Sequence, residues 1–246
     1  MEKVIGFAMI ICRVSGFFVS APVFGFTAIP LMIRAAAALV LSVFFASLMQ
    51  VPEGIASLGL LQLVMILSGQ AMYGLLLGLI VHMVFSAVRC SGEMIEQQMG
   101  LMTAETIDPM TDQAEQPLAI LLETIFLLLL LASGGHLLLI KALLQSYRTF
   151  DISHVPTVAT MTLAAVKAGS SLLTIGLRVA APILVAFLLL YVVLAIFARV
   201  VPEMDILLLT FPARIGLGLI MTVLLIPLLQ ELAGEFGRYL ASLLPV

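Results

Sequence analysis

The chain has 246 residues, of which 63% are hydrophobic and only 10% are charged, and its net charge is −3. Soluble domains carry about 25% charged residues, so this composition excludes a large water-soluble core and a disordered chain. With two cysteines, a disulfide-rich secreted scaffold is excluded as well, and we expect an integral membrane protein.

Apolar stretches in the first third of the chain are each long enough for a transmembrane helix, which needs about 20 residues. Residues 4–21 form the first and residues 31–50 the second, and the start carries no convincing cleavage signal. Residues 54–88 contain no charged side chain. This length predicts one long tilted helix, or a helix kinked near Ser68 and Gly69.

The rest of the chain after residue 116 is also predicted to be helical. Its segments are an apolar helix over 117–140, a polar connection over 141–156, helices over 157–177 and 178–198, a last helix over 206–230 and a semi-polar tail over 231–246. The period-two alternation that is typical of strands is missing from the sequence. We therefore predict an all-α membrane protein with six or seven apolar, partly kinked helices.

Acidic side chains are concentrated in residues 89–116, which we call the central segment. Six carboxylates and one base give it a charge of −5, so the rest of the chain carries +2. If the segment begins as a helix, Arg89, Glu93 and Gln97 form a polar stripe and the methionines lie on another face. We interpret the segment as a movable element that lines or closes a polar conduit, rather than as a solvated loop.

The central segment divides the predicted single domain of residues 1–246 into N-terminal helices over 1–88 and C-terminal helices over 117–246. Within the segment, Gly100 loosens a helix and Pro109 stops one.

Two arginines stand inside apolar helices. A charge at mid-bilayer costs at least about 2.5 to 3.5 kcal/mol, so we expect Arg13 and Arg214 to face a partner subunit, a carboxylate or a water-filled cavity. Elsewhere, Gly74 and Gly78 form a GxxxG motif, which lets two helix backbones approach closely.

Motifs for enzymatic chemistry are weak. Glu93 and Glu96 lack the Glu-x-x-His pattern of a di-metal site, the three histidines are scattered, and no phosphate-binding loop is present. We therefore expect no enzymatic activity, cofactor or metal. Cys12 and Cys90 are expected to be buried, reduced thiols.

Three other functions are less well supported. An intramembrane protease would require Ser170 or Ser171 to be reactive. A small-solute transporter would suit the broken helices, but it predicts an inverted repeat that the two halves lack. The sequence also lacks the basic cluster of a nucleic-acid-binding protein.

Three motifs follow one another along the chain. They are SAPVFGFTAIPLMIR over residues 20–34, then Gly92-Glu93 with Gln98-Met99-Gly100-Leu101 and Asp108-Pro109, and then Val201-Pro202-Glu203-Met204-Asp205 with Thr210-Phe211-Pro212. Their order and spacing resemble the FliR/SctT family, the export-gate membrane subunits of type III secretion systems, and the first motif is closer to the flagellar branch. The sequence departs from the family pattern at Asp205, where Asn is expected, and at Arg214, which is often a lysine.

The resemblance implies a fold similar to a fusion of FliP-like and FliQ-like subunits, with helices arranged as kinked hairpins. It implies a heteromeric gate with FliP-like, FliQ-like and FlhB-like subunits and lipid, in the bacterial inner membrane at the flagellar basal body. Unfolded export substrates would pass through this gate, and a plug loop at about residues 100–116 would seal it. A virulence-type gate of the same family is the alternative.

Two sets of candidate residues follow. The pore and plug residues are Glu93, Gln97, Gln98, Met99, Gly100, Leu101, Met102, Thr103, Asp108, Pro109 and Met110. The residues for subunit packing or buried charge are Arg13, Arg34, Gly74, Gly78, Asp205, Phe211, Pro212 and Arg214.

Overall fold

A computed structural model describes most of the chain, namely residues 2–25, 30–49, 59–101, 116–151, 156–200 and 206–243. Nearly all of these residues are helical and none is in a strand, which confirms the all-α prediction. The helices are α1 (Glu2–Ser20), α2 (Pro22–Gly25), α3 (Leu31–Leu48), α4 (Leu60–Met99), α5 (Pro117–Ala132), α6 (Gly135–Thr149), α7 (Val158–Val200) and α8 (Ile206–Leu243).

Most of these helices have the length and composition of a membrane span. Among the described residues, five qualify, namely α1, α3, α4, α7 and the Leu209–Leu240 part of α8. The pair α5 and α6 adds a sixth if it counts as one broken span. This agrees with a multi-pass membrane protein.

Most of the charge-free stretch over 54–88 lies in helix α4. It runs unbroken for 40 residues, through Ser68 and Gly69, so the long helix is formed and not two separate ones. It also includes the first part of the central segment, as the polar stripe predicted. The helix ends at Met99 because Gly100 has φ +77°, a left-handed conformation that glycine adopts at no steric cost.

The prediction of one helix over 117–140 followed by a polar connection was wrong. The backbone breaks at Ser133 and Gly134, where Gly134 has φ +78°, and α6 then continues to Thr149. Lys141, Gln145 and Arg148 lie on the exposed side of α6, whereas Leu143 and Tyr147 are buried. An amphipathic helix of this kind has low mean hydropathy and was therefore mistaken for a loop.

Two further boundaries in the C-terminal half differ from the prediction. Residues 157–177 and 178–198 form the single helix α7, which continues through Pro182. Helix α8 extends beyond residue 230 to Leu243, because Ala233, Phe236 and Leu240 give the tail a buried apolar side at helical spacing.

The chain packs as two compact units. The first unit comprises Met1–Val84, Gly134–Ser170 and Phe236–Val246, and the second comprises Phe85–Ser133 and Ser171–Glu235. The two cysteines are free and half-buried, which is less buried than expected.

In the first unit, α1 lies directly on the first part of α4. A Cβ atom on Gly74 would overlap the backbone of Arg13, and one on Gly78 would overlap Ser20 and the backbone of Phe17. The GxxxG pair is therefore the place where these two helices approach most closely. Its neighbour is a helix of the same chain.

Candidate functional site

In the second unit, the last part of α4 and helix α5 form an antiparallel hairpin. Going towards the end of α4, the contacts are Phe85 with Phe126, Arg89 with Glu123, Gly92 with Ala119, and Glu96 with Leu118. Residue numbers rise on α4 while they fall on α5, so the two helices run in opposite directions. The hairpin thus closes at the point where the chain leaves α4 and enters α5.

Glu96 makes the contact nearest to that point. Its side chain is buried, with 2% exposure, and its Oε1 accepts a hydrogen bond from the backbone N–H of Leu118 at 2.7 Å. Leu118 lies in the first turn of α5, where backbone N–H groups lack helical partners. A carboxylate there also interacts favourably with the helix dipole, so Glu96 caps α5 from another helix.

The end of α4 is also held from α7. The hydroxyl of Tyr191 donates to Gln98, with its oxygen 3.0 Å from the side-chain Oε1 and 3.1 Å from the main-chain oxygen. The main-chain oxygen belongs to the last turn of α4, where carbonyl groups lack helical partners. Tyr191 therefore ties the end of α4 to α7.

Helix α8 completes the surroundings of this end. The guanidinium carbon of Arg214 lies 4.8 Å from the centroid of the Tyr191 ring, close enough for a cation–π interaction. Among the described residues, its Nε is buried without a hydrogen-bond partner. Met99 is buried with 1% exposure and packs against Gly218, where a Cβ would lie 2.5 Å from its sulfur.

We refer to Gln98, Met99 and Gly100 as the α4 tip. Its contacts come from three helices: α5 through Glu96 just before it, α7 through Tyr191, and α8 through Arg214 and Gly218. The structure therefore places a well-packed anchor at the start of the part of the central segment that was predicted to be the plug.

The other predicted residues lie at different depths. Gln97, Phe211 and Pro212 are exposed, whereas Arg34, Glu93, Gln98 and Leu101 are half-buried. Six predicted positions lie outside the described residues, namely Met102, Thr103, Asp108, Pro109, Met110 and Asp205. Within the described part of the chain, no group of three or more His, Cys, Asp or Glu side chains is arranged to hold a metal ion.

Arg13 occupies the core of the first unit and is fully buried. Its Nε donates to the side-chain oxygen of Gln70 at 2.6 Å, and its Nη atoms donate to the main-chain oxygens of Ser146 and Phe150 at 3.1 and 3.2 Å. The sequence predicted a partner subunit, a carboxylate or a water-filled cavity around Arg13. The structure surrounds it with neutral acceptors of its own chain, on α4 and at the end of α6, and the carboxylate of Asp151 adds an electrostatic interaction.

Sequence reasoning missed the roles of Glu96 and Tyr191. It took Glu96 as one member of an acidic pair, although Gln116, the residue before α5, makes no capping hydrogen bond with its own side chain. That missing cap was a signal that the capping group comes from elsewhere. Tyr191 sits in an apolar run and gave no signal.

Comparison with known proteins adds an independent observation. Residues 4–238 match the family described as bacterial export proteins, family 1. The flagellar biosynthetic protein FliR of Escherichia coli (strain K12) is 33% identical over 179 residues, which cover 71% of this chain and 69% of that protein. FliR of Bacillus subtilis (strain 168) is 29% identical over 221 residues, which cover 88% and 84%. The Yop proteins translocation protein T of Yersinia pestis is 26% identical over 164 residues, which cover 66% and 63%.

Proposed function

The chain belongs to the family of bacterial export proteins, family 1, which matches nearly its whole length, and from this membership we propose that it is a gating subunit for flagellar type III protein export. The resemblance to the FliR/SctT family is thereby confirmed. The flagellar relatives of Escherichia coli and Bacillus subtilis have higher identity than the Yersinia relative, which favours the flagellar branch over the virulence-type branch.

In this proposal the central segment acts as a plug. The observation that carries it is the hairpin, because Glu96 and Leu118 hold the ends of α4 and α5 together while residues 100–116 connect them. Helix–helix connections usually need about two to eight residues. The connection is thus much longer than closure of the hairpin requires, and the excess can project into a channel.

The composition of the connection agrees with a wet lumen. Residues 102–115 carry four carboxylates and no base, together with two methionines. The carboxylates tolerate contact with water, and the flexible apolar methionines supply bulk that adapts to a narrow passage. Unfolded export substrates would displace this plug, and the driving energy would come from other components of the apparatus.

We propose FliP-like and FliQ-like subunits as the neighbours of this chain, with a FlhB-like subunit beside them, in the inner membrane at the basal body. Helices α3, α7 and α8 carry many exposed large apolar side chains. Such faces suit contact with lipid and with similar helices of neighbouring subunits. The chain would act as a structural part of the gate and not as an enzyme.

Deletion of residues 101–115 tests the plug. The complex that contains the shortened chain is assembled in cells, and the leak of small ions across the inner membrane is measured. We expect a clear rise in conductance relative to the full-length chain. Unchanged conductance with a normal amount of complex would rule out the plug.

The control is the same deletion in cells without the FliP-like subunit. The leak should then disappear, because the pore is not assembled. A leak that persists would come from the altered chain alone and would contradict the proposed gate.

A further inference from the structure

A cluster of charged side chains lies on the surface of the α4–α5 hairpin, and the plug proposal gives it no role. The guanidinium of Arg89 lies between two carboxylates, with its Nε 3.4 Å from Oε1 of Glu93 and its Nη1 3.5 Å from Oε2 of Glu123. The three side chains remain 46%, 33% and 27% exposed, respectively. One guanidinium thus serves two carboxylates, and the cluster presents a net charge of −1 at the surface.

The surface around this cluster is apolar. Ile120 lies one turn before Glu123 and is 45% exposed, and Met94 follows Glu93 on α4 and is half-buried. Glu123 is the only charged residue among the 16 of α5. We call the patch formed by these residues and Arg89 the hairpin face.

Neither lipid nor water suits the hairpin face. Within the hydrocarbon core of a membrane, an uncompensated charge is costly. The 40 residues of α4 measure about 60 Å, roughly twice the thickness of that core, so the end of α4 can also lie beyond the lipid. There α5, which packs along it, would expose Ile120, Leu121 and Leu128 to water, which is unfavourable as well. Cover by another protein satisfies both the charge and the apolar surface.

We propose that the hairpin face docks an apolar helix of a neighbouring subunit that carries one lysine or arginine. The single cation of that helix would neutralise the net charge of the cluster, and the apolar remainder would cover Ile120 and Met94. This inference rests on the proposed function, because the neighbour is taken to be a subunit of the same gate.

Reversal of one charge tests the cation of the partner. The chain is co-expressed with the FliP-like and FliQ-like subunits, and the amount of complex is measured. Glu123→Lys changes the net charge of the cluster from −1 to +1 and repels the partner's cation, so we expect about tenfold less complex. Arg89→Met leaves both carboxylates for the partner and should assemble far better than Glu123→Lys. The matched control is Glu231→Lys, the same reversal at an exposed position of α8, which should assemble like the wild type.

A photo-crosslinking amino acid in place of Ile120 identifies the neighbour without altering the charges. The complex is irradiated, and the joined peptides are identified by mass spectrometry. We expect an apolar segment of the FliP-like or FliQ-like subunit, with a lysine or arginine within about one helical turn of the joined residue. Replacement of that base by glutamate should restore assembly with Glu123→Lys, which also shows that the Glu123→Lys chain folds.

Several outcomes would overturn the docking inference. They are a crosslink to lipid alone, to a second copy of this chain or to a segment without a base, and a normal amount of complex with Glu123→Lys. The wild-type chain separates this failure from failure of the proposed function. If it does not co-purify with the FliP-like subunit, the proposed gate is wrong; if it does, and deletion of residues 101–115 causes a leak, only the docking inference falls.

Discussion

The guanidinium of Arg13 lies 4.2 Å from the centroid of the Tyr147 ring, and the hydroxyl of Tyr147 in turn donates to the main-chain oxygen of Ile10 at 3.1 Å. Helices α1 and α6 are therefore joined by two reciprocal contacts. Since Arg13 also binds carbonyl oxygens at the end of α6, it places a positive charge where the helix dipole is negative. The buried charge is thus stabilised by neutral acceptors and aromatic rings, with a further electrostatic interaction from Asp151.

We expect Arg13→Met to destabilise the protein strongly. The substitution keeps much of the volume, but Gln70 and Phe150 lose the hydrogen bonds of the guanidinium, whereas the main-chain oxygen of Ser146 still accepts from the N–H of Phe150. A hydrogen bond to a charged group contributes about 1.5–3 kcal/mol, so a loss of about 3 kcal/mol is expected. The midpoint of thermal unfolding of the purified complex measures this loss.

The stability of Arg13→Lys should lie between that of Arg13→Met and that of the wild type, because one ammonium group cannot reproduce the planar fork of a guanidinium. Arg148→Met is the control, since Arg148 is exposed near the end of α6, the helix whose carbonyl oxygens Arg13 binds, and its replacement should change stability little. If Arg13→Met were as stable as Arg148→Met, the hydrogen bonds around Arg13 would not matter to the fold.

The second prediction concerns stability and follows from the close approach of α1 and α4. In Gly74→Ala the new methyl group overlaps the backbone of Arg13, and the helices must separate. Overpacking of this kind costs about 1–3 kcal/mol, so the variant should unfold at a lower temperature. In Gly169→Ala the methyl group meets open space, and the better helix propensity of alanine should leave the protein as stable or more stable.

The parts of the fold that sequence patterns predicted depend on local features. Pro30 marks the start of α3, and spacing of four residues predicted a helix at the start of the central segment. Gly74 and Gly78 predicted a close helix contact because small residues four positions apart let two helix backbones approach each other. Each of these inferences needs information from only a few neighbouring residues.

The parts that were missed depend on contacts across the sequence or on gradual changes in hydropathy. Glu96 caps a helix that begins more than twenty residues later, and Gln70 binds an arginine 57 positions away. Nothing local in either residue indicates such a partner. The break at Gly134 lies inside an apolar run without a charge, where average hydropathy cannot separate one helix from two.

A third prediction concerns the α4 tip. Gly218→Ala places a methyl group 2.5 Å from the Cγ and sulfur of Met99, so Met99 must move and the end of α4 must shift. We expect a loss of about 1 kcal/mol or more in thermal unfolding. Gly216→Ala, two residues earlier on α8, meets nothing within 4 Å and should be neutral or stabilising.

The pairing of Met99 with Gly218 can be tested by a double-mutant cycle. Met99→Ala alone leaves a cavity, but with Gly218→Ala the new methyl group occupies part of that space. The two changes together should therefore cost less than the sum of the separate losses, with a coupling of about 0.5 kcal/mol or more. Simple additivity would show that the two side chains do not share this space.

The last prediction concerns Arg214 and the assembly of this chain with a neighbouring subunit. Its guanidinium stacks on Tyr191, yet its buried Nε lacks a hydrogen-bond partner among the residues described. Arg214 is half-buried, and we expect the accessible part of its guanidinium to bind a carboxylate or another acceptor of a neighbouring subunit, since a charge that becomes buried on assembly without a partner is costly. Arg214→Ala should then reduce co-purification with the FliP-like subunit.

Tyr191→Phe is the matched control for Arg214→Ala. It keeps the ring beneath the guanidinium and removes only the hydrogen bonds to Gln98, which should cost about 1 kcal/mol of stability without loss of the partner. If Arg214→Ala co-purifies as well as the wild type, the arginine acts within the chain alone. If Tyr191→Phe loses the partner to the same extent, the order of the α4 tip, rather than the charge of Arg214, governs assembly.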